Sequence, residues 1–183
     1  MVHEDAGVTM QPEKISAERR IACIGTYPPR RCGIATFTQD LCRAIELQSR
    51  KQRRLCNVIA INDHARGYEY PPNVRFEVRQ QQAADYRLAA DFVNIRNCEI
   101  MLVQHEYGIF GGECGDQLMG LLRNVRMPVV TTLHTVLAQP SPEIRRVTEA
   151  IIAHSDRLIV MSERAVEIMT TVYDVTAEKV RMI

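Results

Sequence analysis

No stretch of this 183-residue chain approaches the roughly 18 consecutive apolar residues that a membrane-crossing helix needs. Neither sign of charge is in excess. Lys and Arg number 23, Asp and Glu 22, and the formal net charge is +1, too balanced for a general nucleic-acid binder. Six cysteines are present, at 23, 32, 42, 56, 98 and 114, but none forms a C-x-x-C pair. That absence disfavours a zinc site and a disulfide framework, and it fits a reducing cytoplasm. G-x-G-x-x-G is missing, which disfavours a nicotinamide cofactor. G-x-S-x-G and a carboxylate-rich metal site are missing too, which weakens a hydrolase reading. The first 17 residues carry Glu4, Asp5, Glu13 and Lys14 and lack the apolar core of a signal peptide, so residues 1–17 read as a flexible polar leader.

What is present is an alternation of short apolar runs with helical patterns. Ile21–Thr26, Asn57–Asn62, Val74–Val78, Glu99–Gln104, Met127–His134, Asp156–Met161 and Lys179–Ile183 read as strands. Helices are predicted from about Thr36 to Ser49, from Asp85 to Ile95 with Leu88, Ala89, Phe92 and Ile95 turned inward, and from Gly115 to Val125 with Leu118, Leu121, Leu122 and Val125 inward. Two more follow from about Pro142 to His154 and from Glu163 to Tyr173. Proline is tolerated in the first turn of the former, and Ser162 caps the latter. Strand and helix in turn imply an α/β fold: a Rossmann-like three-layer α/β/α domain over residues 18–183, its mainly parallel sheet covered on both faces.

Ligands of such sheets bind outside the carboxyl ends of the strands. The loops at Arg30–Gly33, Asp63, His105–Gly112, His134 and Ser162 all follow predicted strand ends and should share one edge. In the first of them the two prolines after Tyr27 forbid helix, and Arg30, Arg31, Cys32, Gly33 and Ile34 lead straight into a helical pattern. A small, basic strand-to-helix loop offers N–H groups and a helix dipole to an anion, and arginine suits phosphate. The plainer reading is a tight turn alone. Cys32, beside arginines at a helix start, has a setting that lowers a thiol pKa, but no partner base is evident for catalysis.

The segment Tyr27–Thr38, YPPRRCGIATFT, resembles the glycine-rich loop of retaining, GT-B-fold glycosyltransferases of family 4. That group usually carries two adjacent glycines before Ile or Val; here Cys32 replaces the first and Gly33 is the second. The stretch from His105 to Glu113 resembles the family's acceptor-side segment after its fourth strand, and His134 matches a family histidine near the transferred sugar. The resemblance covers roughly Ile21–Ile183 and only the N-terminal, acceptor-side half of the two-domain GT-B fold.

The resemblance implies transfer of a sugar from a nucleotide-sugar donor to an acceptor hydroxyl of a sugar or lipid, with retention of configuration. It implies no divalent metal and no other cofactor. The C-terminal donor-binding domain is absent from these residues and would be the main partner, so this chain alone is expected to fold without catalysing. The candidate catalytic residues are His134 and Glu106. Donor or acceptor contacts are expected from Arg30, Arg31, Cys32, Gly33, Ile34, His105, Glu106, Gly111, Gly112 and His134. Glu106 would orient or deprotonate an acceptor hydroxyl. The plainer readings are a surface pair for His105 and Glu106 and a structural histidine for His134. Glu69 and Glu77 stand at the family's E-x₇-E spacing, but Glu77 falls within a strand and the motif belongs to the second domain, so they are not assigned.

Arg50-Lys51-Gln52-Arg53-Arg54 places four basic residues in five at a predicted helix end. This is either a solvated end or a surface for anionic lipid headgroups at the inner face of a membrane. The different-class alternative to an enzyme half is a non-catalytic sugar-binding or subunit-assembly module, for which an oligomer is open.

Overall fold

Among the described residues seven strands lie parallel in one sheet, in the order β3-β2-β1-β4-β5-β6-β7. In a computed structural model the strands are β1 (Arg20–Gly25), β2 (Leu55–Asn62), β3 (Val74–Arg79), β4 (Ile100–His105), β5 (Val129–Leu133), β6 (Arg157–Val160) and β7 (Val180–Met182). The helices are α1 (Gly33–Gln48), α2 (Ala83–Ile95), α3 (Met119–Leu122), α4 (Pro142–Ala153) and α5 (Glu163–Thr171). The structure describes residues 19–48 and 55–183. The predicted leader 1–17, the helix end at Ser49 and the basic run 50–54 lie outside the described residues. Among the described residues no helix is long and apolar enough to cross a membrane.

The central strands are apolar on both faces, as a parallel sheet with two covering layers requires. Cys23, Cys42, Cys56, Val58 and Ala60 form the core beneath α1 on one face. The hydrogen bond to Cys42 pushes the Cys56 thiol up, and burial and nearby charge add to it, so Cys56 is a packing group. On the other face Ile24, Ile59, Tyr86, Val93, Met101, Leu121, Ile151, Leu158 and Met169 join α2, α3, α4 and α5 to the sheet. Each large side chain buried this way contributes about 1.5–3 kcal/mol. The architecture is the Rossmann-like three-layer α/β/α arrangement.

Two helices depart from the expectation. In α2 the buried stripe is Tyr86, Ala89, Ala90 and Val93, whereas Leu88 is 54% and Ile95 78% exposed. Tyr86 sets this rotation: its hydroxyl donates to the Gln80 carbonyl at 2.9 Å and accepts from the Gly111 N–H at 2.9 Å. The helix expected over 115–125 is instead a 3-10 segment, Glu113–Leu118, followed by the single turn of α3. Cys114 (φ 54°) and Gly115 (φ 87°) are left-handed and interrupt the helix. Leu118, Leu121 and Leu122 are nevertheless buried as the pattern requires.

Helix starts follow the sequence closely. Ser162 Oγ accepts from the Ala165 N–H at 3.2 Å and caps α5. Ser141 Oγ does the same for Ile144 at 3.3 Å, with Pro142 opening α4.

Chain order β1, β2, β3 runs outward one way, and β4 then pairs on the other side of β1. The reversal falls between β1 and β4. Loops leaving these two strands diverge there and open the crevice in which such sheets bind ligands.

Candidate functional site at the carboxyl ends of the strands

The loop after β1 is a brace as much as a cradle. Arg30 Nη1 donates to the Ile61 carbonyl at 3.2 Å, and its Nε lies 3.4 Å from Asp63 Oδ2. Only 14% of the Arg30 side chain is exposed, so its charge is directed into the end of β2. Tyr68 donates its hydroxyl to Asp63 Oδ1 at 3.0 Å. Burial pushes the Asp63 carboxyl up, but the Tyr68 hydroxyl and Arg30 outweigh it and hold the carboxyl below its ordinary range. Arg31, by contrast, is exposed and pairs with no described residue. It is the loop's available cation.

Cys32 acts as the cap of α1. Its Sγ accepts from the Ala35 N–H at 3.4 Å and sits 3.0 Å from Thr26 Oγ1. Neither Cys32 nor Gly33 has a positive φ, so the missing first glycine strains nothing here. Gly33 is exposed and a Cβ on it would meet nothing within 4 Å. Ile34 turns inward against the main core.

Helix α1 and the ends of β4 and β5 meet at His134. Its ring packs edge-on against Phe37 of α1, centroids 4.9 Å apart. Its Nε2 is 3.0 Å from Gln104 Oε1 at the end of β4. With that amide oxygen accepting, Nε2 carries the proton and Nδ1 keeps a lone pair for a donor. Burial lowers the His134 pKa from its ordinary value, against the pull of Glu106, so the ring is neutral at physiological pH. The neighbouring backbone is tied as well: the His134 N–H donates to the His105 carbonyl at 3.0 Å.

Glu106 and Thr135 add the second contact between these loops. Glu106 Oε2 accepts from the Thr135 hydroxyl at 2.5 Å, and Oε1 accepts from the Tyr107 N–H at 3.0 Å. The carboxylate therefore caps the 3-10 turn Tyr107–Ile109. Each oxygen keeps a second lone pair for a ligand hydroxyl. Beyond it, Tyr107 shares a 2.8 Å hydrogen bond with Thr148 of α4.

His105 is fully buried, and neither ring nitrogen has a hydrogen-bond partner. It stacks on Phe110 (5.7 Å, interplanar 10°) and meets Tyr107 edge-on at 5.0 Å. Burial, and then the nearby His134, pull its pKa down to about 3. It is a neutral ring packed beneath the site, out of contact with solvent.

Gly111 and Gly112 face the β3–α2 connection. Gly111 donates to Tyr86 and Gly112 to Gln81 Oε1 (3.1 Å), so both N–H groups are occupied. A Cβ on Gly111 would collide with the Gln80 carbonyl oxygen, and Gly112 has φ 81°. Both glycines are required by the backbone of this loop.

A cleft of about 280 Å³ opens beside His134 and Thr135, closed on its far side by Met161, Ser162 and Arg164 at the start of α5. Arg164 is exposed and pairs with Glu167 at 2.6 Å. The structure thus brings His134, Glu106 and Phe37 of α1 together, with Cys32, Gly33 and Arg31 at the same edge of the sheet. It holds Arg30, His105, Gly111 and Gly112 in bracing roles around them. Gln104, Phe37, Thr135 and Arg164 were missed by the sequence reading. Gln104 and Thr135 flank the two histidines in sequence, and that adjacency was the available signal. Among the described residues no three His, Cys, Asp or Glu side chains are grouped to hold a metal ion.

No protein-family model matches the chain, and no curated protein matches it.

Proposed function

We propose that this chain is the acceptor-side half of a retaining glycosyltransferase that uses a nucleotide-sugar donor. One observation carries the reading: helix α1 and the ends of β4 and β5 converge on His134, beside the point where strand order reverses. In this role His134 Nδ1 accepts a hydrogen bond from a hydroxyl of the sugar. Glu106, oriented by Thr135 and Tyr107, accepts from an acceptor hydroxyl. Arg31 supplies charge toward the donor diphosphate, where positive groups stabilise a leaving anion. The remaining donor contacts come from a second domain outside these 183 residues, so the chain alone binds but does not turn over. Anionic membrane at the cytoplasmic face is a candidate setting for a lipid acceptor.

A non-catalytic binding module is the competing reading. It is favoured by the two engaged oxygens of Glu106.

The test is chemical-shift perturbation of the labelled chain with free hexoses and with uridine-, guanosine- and adenosine-diphosphate hexoses. Shifts at Gln104, His134 and Thr135 that vanish in His134→Ala support the glycosyltransferase half. No shift there with any sugar removes both readings of the edge as a sugar site. Turnover by the 183-residue chain refutes the claim that this half does not catalyse.

A further inference from the structure

Helix α2 carries apolar residues on two faces. Tyr86, Ala89, Ala90 and Val93 are buried against the sheet and its neighbours. Ala84, Leu88, Phe92 and Ile95, spaced four, four and three residues apart, form a second line along the outer face. Leu88 is 54% and Ile95 78% exposed, and Ala84 is exposed as well. Phe92 is half-buried, its ring centroid 5.4 Å from that of Phe76 in the edge strand β3. The line runs from the first turn of α2 to its last residue. A surface helix normally turns a polar face outward, whereas one that is apolar on both faces gains by covering both.

The charges beside the line point to what covers it. Arg87 and Asp91 each directly precede one of its members, so both lie on the same flank. Both are exposed, and neither makes a hydrogen bond or ion pair among the described residues. A two-fold axis perpendicular to a helix sets that helix antiparallel to its copy and brings the same flank of each together. With the axis level with the Ala89–Ala90 bond, Leu88 lies opposite the partner's Phe92, and Ala84 opposite the partner's Ile95. In the same register Arg87 meets the partner's Asp91, and Asp91 meets the partner's Arg87. The face is thus complementary to itself, small against large and positive against negative, as an isologous contact requires. The adjoining strand β3 exposes Arg75, Glu77 and Arg79, charges that oppose edge-to-edge strand pairing and leave the helix as the contact.

We propose that α2 is a self-association surface, forming an antiparallel helix pair between two copies of this chain, independent of any glycosyltransferase reading. One helix from each copy makes a contact at the low end of specific interfaces. The pair is therefore reversible, with a dissociation constant on the order of 10–100 µM.

Sedimentation velocity of the 183-residue chain from about 5 to 500 µM spans that range. A monomer–dimer equilibrium is expected. Ile95→Lys should keep the chain monomeric throughout, with an unchanged thermal midpoint at the lowest concentration, where wild type is monomeric too. Arg87→Asp and Asp91→Arg each set like charges opposite one another and should weaken self-association about tenfold. Mixed in equal amounts, these two variants should associate more tightly than either does alone, because each charge then meets its opposite. An apolar patch that sticks without a register would show no such gain. Wild type that stays monomeric at every concentration overturns the proposal and leaves the line to another occupant, residues 1–18 or a different protein. A dimer that survives Ile95→Lys overturns it as well, as does a mixture of the two charge variants that gains nothing.

Discussion

Replacing His105 with phenylalanine separates burial from titration at one position. The imidazole closes β4 with no exposed surface and no hydrogen bond, between Phe110 and Tyr107. Its pKa falls from 6.5 to about 3 in the folded chain, by burial first and then by the nearness of His134. The unfolded chain therefore takes up a proton near pH 6.5 that the folded chain refuses until about pH 3. Stability is at its full value above pH 6.5, falls as the pH drops below it, and stops falling near pH 3. Between pH 7 and pH 5 the loss from this one group is about 2 kcal/mol, a factor of about 30 in the folded-to-unfolded ratio. Urea unfolding of wild type and His105→Phe at both pH values reads it directly. Phenylalanine keeps a planar ring between the same neighbours, and any packing penalty it adds is the same at both pH values. The stability difference between the two proteins should therefore shift by about 2 kcal/mol in favour of phenylalanine on going to pH 5. An unchanged difference would refute the burial of a neutral imidazole here.

Four further substitutions probe the loops and caps. Gly111→Ala drives a Cβ into the Gln80 carbonyl oxygen and should lower stability by about 1–3 kcal/mol or more, read as a depressed thermal midpoint. Gly33→Ala meets open space at a helical start and should raise stability by about 0.4–1 kcal/mol; a loss would contradict the geometry of the first loop. Ser162→Ala removes the cap of α5 and should cost about 1 kcal/mol in urea unfolding. Asp85→Asn weakens the Arg79 fork, whose bonds are 2.7 and 2.8 Å, and should lower the urea midpoint at pH 7. The Arg79 bond holds the Asp85 carboxyl below its ordinary range. Its stabilising contribution is thus present above pH 4 and fades as the pH falls through that lowered value, where wild type and variant should converge.

The legible parts of the fold were the local ones. Pro142 and Ser162 mark helix starts because a first-turn proline and an N-cap hydroxyl act within three or four residues. The strands are short apolar runs, and each falls within about two residues of its place. The inward face of α2 was not legible, because Leu88 and Ile95 fit a helical stripe as well as Tyr86 and Val93 do. A hydrogen bond from the Gly111 N–H to the Tyr86 hydroxyl, 25 residues away, chooses between the two faces. The break at Cys114 was hidden for a related reason: a non-glycine residue holds the left-handed conformation there.

By itself the sequence determined the alternation of strand and helix, and with it a parallel sheet whose strand-end loops share one edge. Those features follow from periodicities and caps that act over a few residues. Tertiary structure alone decided that β1 lies between β2 and β4, and that the chain reverses there. It also decided which strand-end residues meet. Gln104 and His134 are 30 residues apart, and Glu106 and Thr135 are 29 apart. Only the packing of whole layers brings such pairs into contact. The same packing occupies the N–H groups of Gly111 and Gly112 and buries His105. It leaves Arg31 facing solvent while Arg30, its neighbour in sequence, is held against Asp63.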